Sequence, residues 1–317
     1  MPRSADRGLT VIAGAPLRVA VLSGPRDGLA RRLVKRMTAQ GAHGRIVRLA
    51  DCSFDTSKPS GIAIPGFGRD LPDGVFVRMV PGGSFEAVTK RLGVLHALRE
   101  LGVPVWNDAR AIERCVDKSQ TTFLLQRAGL PVPPTWTLED RDAAAALVRR
   151  EARRGPLVLK PLFGSQGRGL KLIRTEADLP APDDVQGTYH LQRFLGVETA
   201  AGFRDFRVFV AGGQVLAAMI RHGETWITNV KQGGRPEALV GDRELEQLAV
   251  KAAHAVGADF CGVDLLRDRA GSPYVLEVNS MPAWTGLQKV ADIDIASALA
   301  AAFLDAVGER RRARRSA

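Results

Sequence analysis

Gly262-Val263-Asp264-Leu265-Leu266 and, beyond the turn Asp268-Arg269-Ala270-Gly271-Ser272-Pro273, Leu276-Glu277-Val278-Asn279-Ser280-Met281-Pro282 place three oxygen-bearing side chains on two short strand-like runs. Period-two alternation sets Glu277 and Asn279 on one face of their strand, and a hairpin brings Asp264 beside them. Two carboxylates and an amide oxygen on one sheet face form a site for a hard cation. Magnesium takes such ligands and completes its shell with water and substrate phosphates. The pattern therefore asks which phosphate sits opposite.

Composition allows a sizeable enzyme. A chain of 317 residues accommodates two or three packed lobes, and 45% hydrophobic with 25% charged residues is ordinary globular usage. No apolar run reaches the ~20 residues of a membrane span, so no membrane partner is expected. The start, Met1-Pro2-Arg3-Ser4, lacks the apolar core of a signal peptide. Cys52, Cys115 and Cys261 form neither a disulfide framework nor a metal-ligand spacing and read as small buried hydrophobes, which fits a reducing cytoplasm. Part of the net charge of +11 sits in Arg310-Arg311-Arg312-Ala313-Arg314-Arg315, and the rest is spread along the body. With no helix-turn-helix, zinc-finger or RNP-type pattern, nucleic acid is not the expected partner. The basic balance points instead to anionic ligands, nucleotide phosphates and carboxylates.

Residues 1–16 read as a flexible leader. Over 17–107 strands and helices alternate. Leu17 to Gly24 forms a strand, Asp27 caps a helix carrying Leu29, Leu33, Val34 and Met37, and Arg45–Leu49 forms the next strand. Gly74–Arg78, a helix near Phe85–Leu101 and a strand at Val103–Trp106 follow. This α/β pattern predicts a small parallel sheet with helices on both faces. No GxGxxG follows the first strand, so it is not read as a dinucleotide site. A central lobe spans 108–187, with a helix from Asp117 to Gly129, another at about 139–153, and strands at 157–161 and 170–173. The lobe over 188–308 holds strands at 190–195, 205–210 and 214–221, a helix near 242–256, the opening hairpin and a last helix near 292–307. The basic end, 309–317, is expected to be disordered.

Gly164-Ser165-Gln166-Gly167-Arg168-Gly169 lies between two strands, which excludes a P-loop opening a helix. Such a hairpin is either a mobile surface turn or a flap whose backbone N–H groups approach phosphates. Lys160, just before it in an otherwise apolar strand, favours the flap, since a buried lysine needs an anion. Lys118 opens a helix and reads either as a second phosphate contact or as a solvated lysine. In His190-Leu191-Gln192-Arg193-Phe194-Leu195 a donor–acceptor pair could meet an adenine edge. Arg207 and Arg221 fall on neighbouring strands of one hairpin, where two guanidiniums converging on one face would recognise phosphate or carboxylate. The alternative for Arg207 is an outward charge.

Taken together, Asp117-Lys118-Ser119, Lys160 with its glycine run, Gln192-Arg193-Phe194, Asp205-Phe206-Arg207, Asn229 with Gly233-Gly234, Val263-Asp264 and Glu277-Val278-Asn279 resemble the ATP-grasp superfamily. Within it they look most like the RimK-type α-L-glutamate ligases. The resemblance covers about residues 75–305 and is only topological over 17–74. It implies an ATP-grasp fold preceded by a Rossmann-like pre-ATP-grasp domain. It also implies ATP and two Mg2+ (or Mn2+) ions as cofactors. Lys118 and Lys160 would contact phosphates, with the flap at Gly164, Ser165, Gln166 and Gly167 above them. Gln192, Arg193 and the Phe194 backbone would frame the adenine, and Glu198 the ribose. Arg207, Arg221 and Asn229 would line the reaction centre, and Asp264, Glu277 and Asn279 would hold the metals. The chain departs from the family pattern in two places: the longer turn Asn279-Ser280-Met281-Pro282-Ala283-Trp284-Thr285-Gly286, and Arg193 and Gly196 near the adenine strap.

The implied activity is ATP-dependent carboxylate–amine ligation through an acyl phosphate. It would add L-glutamate or a similar amino acid to an acidic acceptor, such as a pterin-type coenzyme or a protein tail. The lead lobe, with Arg78 beyond its strand, is expected to help bind that acceptor. An ATP-grasp kinase acting on a hydroxyl, and a non-catalytic nucleotide binder, are the alternatives. The sequence leaves a homo-oligomer open.

Overall fold

The computed structural model describes residues 15–164 and 167–315. The readings of residues 1–14, Ser165, Gln166 and 316–317 lie outside the described residues.

The N-terminal unit comprises β1 (Arg18–Leu22), α1 (Gly28–Ala39), β2 (His43–Val47), the short pair β3 (Ser53–Phe54) and β4 (Ile62–Ala63), β5 (Gly74–Val77), α2 (Phe85–Glu100) and β6 (Val105–Trp106). Its sheet runs β2-β1-β5-β6 with every pairing parallel. Both faces of β1 are buried, as in a sheet covered by helices on each side. Val19, Val21 and Phe76 face α1, whereas Ala20, Leu22, Val75 and Val77 face α2 through Leu95 and Leu98. Asp27 caps α1 by accepting from Leu29 N and Ala30 N, and Ser84 caps α2.

After α3 (Ala109–Val116) and α4 (Lys118–Arg127) comes the central lobe: β7 (Thr135–Leu138), α5 (Arg141–Glu151), β8 (Leu157–Lys160), β9 (Lys171–Ile173) and β10 (Tyr189–Arg193). Its antiparallel sheet runs β7-β10-β8-β9. Leu157, Leu159, Ile173, Tyr189 and Leu191 pack on α5. By alternation the opposite face carries Val158, Lys160, His190 and Gln192.

The last sheet holds β11 (Phe203–Ala211), β12 (Gln214–Gly223), β13 (Arg235–Ala238), β14 (Phe260–Arg267) and β15 (Pro273–Asn279), ordered β13-β12-β11-β14-β15. The helix α6 (Arg243–Val256) covers one face, against Phe206, Val208, Val263 and Leu265. Both Val275 and Val278 join that core, which strict alternation forbids. A register shift resolves this: Asp264 pairs with Glu277 but Leu265 with Val275, so Leu276 is an extra, bulged residue.

The final helix, α7 (Ile295–Arg315), returns to the N-terminal sheet. Leu299, Phe303 and Val307 pack with α1, Val19 and Phe76. At Gly74 a β-carbon would come within 2.4 Å of Val307 Cγ2, so glycine permits the close approach. The helix runs to Arg315, and residues 309–315 are therefore helical rather than the disordered tail expected. Arg314 Nη2 donates to the Leu101 carbonyl (2.9 Å), and basic residues suit a helix C-terminus. The 17–107 unit thus shares its core with the chain's last helix.

Asn107 joins the N-terminal unit to the last sheet. Its buried amide donates to the carbonyls of Phe260 (2.7 Å) and Ser280 (2.6 Å) and accepts from the N–H groups of Asp259 (2.6 Å) and Phe260 (3.1 Å). Asn107→Ala leaves four backbone groups, three of them buried, without this partner and is expected to cost about 3 kcal/mol, read as a lowered urea midpoint at unchanged slope. A loss under about 1 kcal/mol would contradict the role assigned to it.

Candidate active site

One face of the last sheet gathers the charges. Arg207 pairs across the strands with Asp264, Asp205 with Arg221, and Asp264 with Glu277. The Arg207 guanidinium grips the Asp264 carboxylate through Nε and Nη2, the latter at 2.7 Å. Arg221 Nη2 lies 3.2 Å from the same carboxylate, while its Nε donates to Asp205 (2.7 Å). Asp264 is only 4% exposed. Burial raises its pKa, but Arg207 and Arg221 outweigh burial and hold it well below the usual carboxylate range. Burial disfavours the Arg221 charge as well, yet Asp264 and Asp205 raise its pKa beyond the ordinary value. Glu277 differs from Asp264: among the described residues it has no hydrogen bond or ion pair.

The central sheet supplies the opposing wall. Lys160 Nζ donates to Gln192 Oε1 (2.7 Å), and Gln192 Nε2 to Thr135 Oγ1 (3.0 Å). Burial pushes the Lys160 pKa down, partly opposed by Glu277 across the cleft. Lys118, first residue of α4 behind its cap Asp117, donates to the carbonyls of Leu162 (3.3 Å) and Gly164 (2.9 Å). Burial lowers its pKa too, against Glu277 and Asp117. Gly167 reaches the other lobe. At Gly167 (φ 70°) a β-carbon would come within 2.5 Å of Asn229 Oδ1, so glycine alone fits this contact. The cleft so formed holds about 120 Å³ and is lined by Lys118, Lys160, Gly164, Gly167, Gln192, Arg221, Asn229, Asp264 and Glu277, among others.

The structure therefore brings most of the expected residues together, with five differences. Asn279 is not among the residues that line the cleft. Arg207 does not line the cleft; it lies beneath Asp264. Arg193 lines it, but its guanidinium turns to Glu151 (2.8 Å) and the Gly155 carbonyl (2.7 Å), anchoring the strand end. The Phe194 N–H is committed to the Pro156 carbonyl (3.1 Å). Glu198 is exposed and stands apart from the cleft-lining residues. Asp205 stood in a quoted motif without a role, and Trp226 was not singled out. Asp205 is the counter-ion of Arg221, and its position two residues before Arg207 on one strand was the available signal. Trp226 stands edge-on to Phe194, with ring centroids 5.8 Å apart, and sits in a segment without periodicity.

The donor set suits a hard divalent cation. Asp264 and Glu277 oppose each other on adjacent strands, and Asn279 shares the Glu277 face opposite Gly262. Among the described residues no three His, Cys, Asp or Glu side chains gather, so any metal here rests on these two carboxylates and the Asn279 amide oxygen, which also accepts from Met281 N (3.1 Å).

Residues 115–303 match the model of the RimK-like ATP-grasp domain. A tetrahydromethanopterin:alpha-L-glutamate ligase of Methanocaldococcus jannaschii is 32% identical over 89% of this chain and 97% of its own length. A probable alpha-L-glutamate ligase of Teredinibacter turnerae is 33% identical, covering 88% and 93%. In shape the chain is similar to the ATP-grasp ligase PsnB in its complex with minimal precursor, Mg and ADP. That match has a TM-score of 0.71 at 24% identity and covers 91% of this chain and 97% of that one.

Two variants separate the carboxylates. Asp264→Asn leaves the buried Arg207 without a counter-charge and Arg221 with Asp205 alone, and is expected to lower stability by about 3 kcal/mol, whereas Glu277→Gln should change it by less than about 1 kcal/mol. Equal losses in chemical denaturation would contradict the distinction. His190, buried beside Lys160 and bonded through Nδ1 to Thr137 Oγ1 (2.8 Å), has its pKa lowered to about 3 by burial and then by the charges of Lys160 and Lys118. The unfolded chain thus binds the extra proton between about pH 6.5 and 3, and His190 makes folding less favourable as pH falls through that window. From pH 6.5 to 5.0 wild type should lose about 1.5 kcal/mol more than His190→Gln. Parallel pH profiles would contradict a neutral, buried His190.

Proposed function

The chain belongs to the RimK-like ATP-grasp family and is an enzyme of its carboxylate–amine ligase class; we propose that it binds ATP with magnesium in this cleft and adds L-glutamate to an acidic acceptor. The observation that carries the proposal is the pairing of unbonded Glu277 on one side of the cleft with Lys118 and Lys160 on the other, beside the contact of Gly167 with Asn229. The names of the glutamate ligases supply the amino acid, and the basic balance of the chain favours an anionic acceptor.

In the proposed reaction an acceptor carboxylate oxygen attacks the γ-phosphorus, the bond to the β–γ bridging oxygen breaks, and ADP departs. The neutral amine of L-glutamate then attacks the acyl-phosphate carbonyl, the nitrogen loses a proton to solvent, the bond to the phosphate oxygen breaks, and amide and phosphate leave. Two ions held by Asp264, Glu277 and Asn279 would neutralise phosphate charge. Lys118 and Lys160 add positive charge from the other lobe, and Arg221 and Asn229 border the transferred group, because phosphoryl transfer asks mainly for positioning and charge stabilisation. Arg207 acts through Asp264 as a positioning residue. With Gly167 seated on Asn229, the flap shields the acyl phosphate from water. Gln192 and the Phe194–Trp226 pair give the base a polar edge and an aromatic wall.

A screen pairing L-glutamate with pterin-type coenzymes, acidic peptides and other acids tests the proposal through ADP release and product mass. The expected result is ADP release that needs both substrates, with an acceptor heavier by one glutamyl residue. Glu277→Gln should lower the rate at least about 100-fold. A product heavier by one phosphoryl group would overturn the ligase in favour of a kinase.

A further inference from the structure

The carboxyl ends of β2, β1 and β5 share one edge of the parallel N-terminal sheet. From β1 the chain turns to β2 on one side, and β5 enters on the other, so a topological switch point lies between β1 and β5. Ligands of open parallel sheets bind outside such an edge. Here the edge runs to the active site through a chain of polar contacts. Ser23 Oγ donates to Asp27 Oδ2 (2.8 Å), which lies 3.7 Å from Arg78 Nε. Arg78 Nη1 donates to the Met281 carbonyl (3.2 Å), and the Met281 N–H donates to Asn279 Oδ1 (3.1 Å).

On the other side, beside the outer strand β2 rather than at the switch point, lies a second, open pocket of about 350 Å³ bounded by Pro25, Asp51, Pro65 and the exposed Arg31, Arg45 and Arg48. Three guanidiniums there meet a single carboxylate. Arg31 Nη1 is engaged by the Pro25 carbonyl (2.9 Å), and Arg48 Nε is 3.6 Å from Asp51. Arg45 has no hydrogen bond or ion pair among the described residues. Its stem lies on Gly66 (φ 85°), where a β-carbon would come within 2.6 Å of Arg45 Cδ, so the glycine leaves room for the arginine in the pocket wall. Planar guanidinium forks match carboxylate and phosphate oxygens. We propose that this pocket, built from Arg31, Arg45 and Arg48, holds an anionic group of the acceptor remote from the carboxylate that is activated. The acceptor then carries at least two anionic groups, and the second, a carboxylate or a phosphate, selects it. The assignment rests on the ligase reading above.

The test uses the full chain without ATP and measures fluorescence anisotropy of labelled penta-L-glutamate at low salt. Wild type should bind saturably, Arg45→Glu/Arg48→Glu at least about 10-fold more weakly, and Arg45→Lys/Arg48→Lys nearly as wild type, with affinity for a non-hydrolysable ATP analogue the same in all three. Displacement of the peptide by inorganic phosphate at lower concentration than by citrate assigns the group as phosphate; the reverse assigns it as carboxylate. Equal affinity of wild type and the Glu variant, or no saturable binding by wild type, would overturn the pocket. The two readings fail separately. Charge-dependent binding without amide formation keeps the pocket and sinks the ligase. A working ligase whose acceptor KM is unmoved by the Glu variant does the opposite.

Discussion

Asp264, gripped by Arg207 and approached by Arg221, is the interaction around which the site is arranged. Removing such a carboxylate from water is costly, and two guanidiniums on neighbouring strands make it tolerable. They also keep it ionised, which a cation ligand requires. Asp205 completes an alternating chain of charges along the sheet, so no guanidinium in it is buried without a counter-ion. Glu277, directly opposite Asp264, stands outside this chain and faces the lysines. One carboxylate is thus held by structure while its neighbour is available to a ligand.

That arrangement depends on the bulge at Leu276. Without the extra residue, Val275 and Val278 could not both reach the core under α6, and Glu277 could not oppose Asp264 while the strand stayed packed. The strand's other end is secured through the N-terminal unit. Asn107 holds the Ser280 carbonyl and Arg78 the Met281 carbonyl, on either side of a peptide just past Asn279. The Arg78 guanidinium also lies over the Trp284 ring, 5.1 Å from its centroid. The long turn after Asn279 therefore serves as the seam between the parallel sheet and β15.

Much of this was legible in the sequence because it rests on local rules. Alternation located the hairpin, a capping aspartate located α1, and the isolated Lys160 among apolar residues pointed to an anion. What escaped depends on tertiary partners. Arg193 and Gln192 adjoin on one strand, yet opposite faces send Arg193 to Glu151 and Gln192 to the cleft. Glu198 fell within the expected strap, but nothing local shows that the chain there turns into solvent. The basic end read as disordered because its anchor, the Leu101 carbonyl, lies far back in the chain. The bulge was invisible for a related reason: a run of apolar residues with one glutamate fits either parity until α6 selects the face.

The central claim is that the cleft activates a carboxylate by phosphorylating it. Once an acceptor is in hand, the most direct measurement is the fate of its carboxylate oxygens. An acceptor labelled with oxygen-18 in that carboxylate, turned over with ATP and L-glutamate, should deliver one labelled oxygen to the released phosphate and keep one in the amide. Phosphate free of label, with both labelled oxygens still in the product, would contradict an acyl phosphate and with it the account of the site.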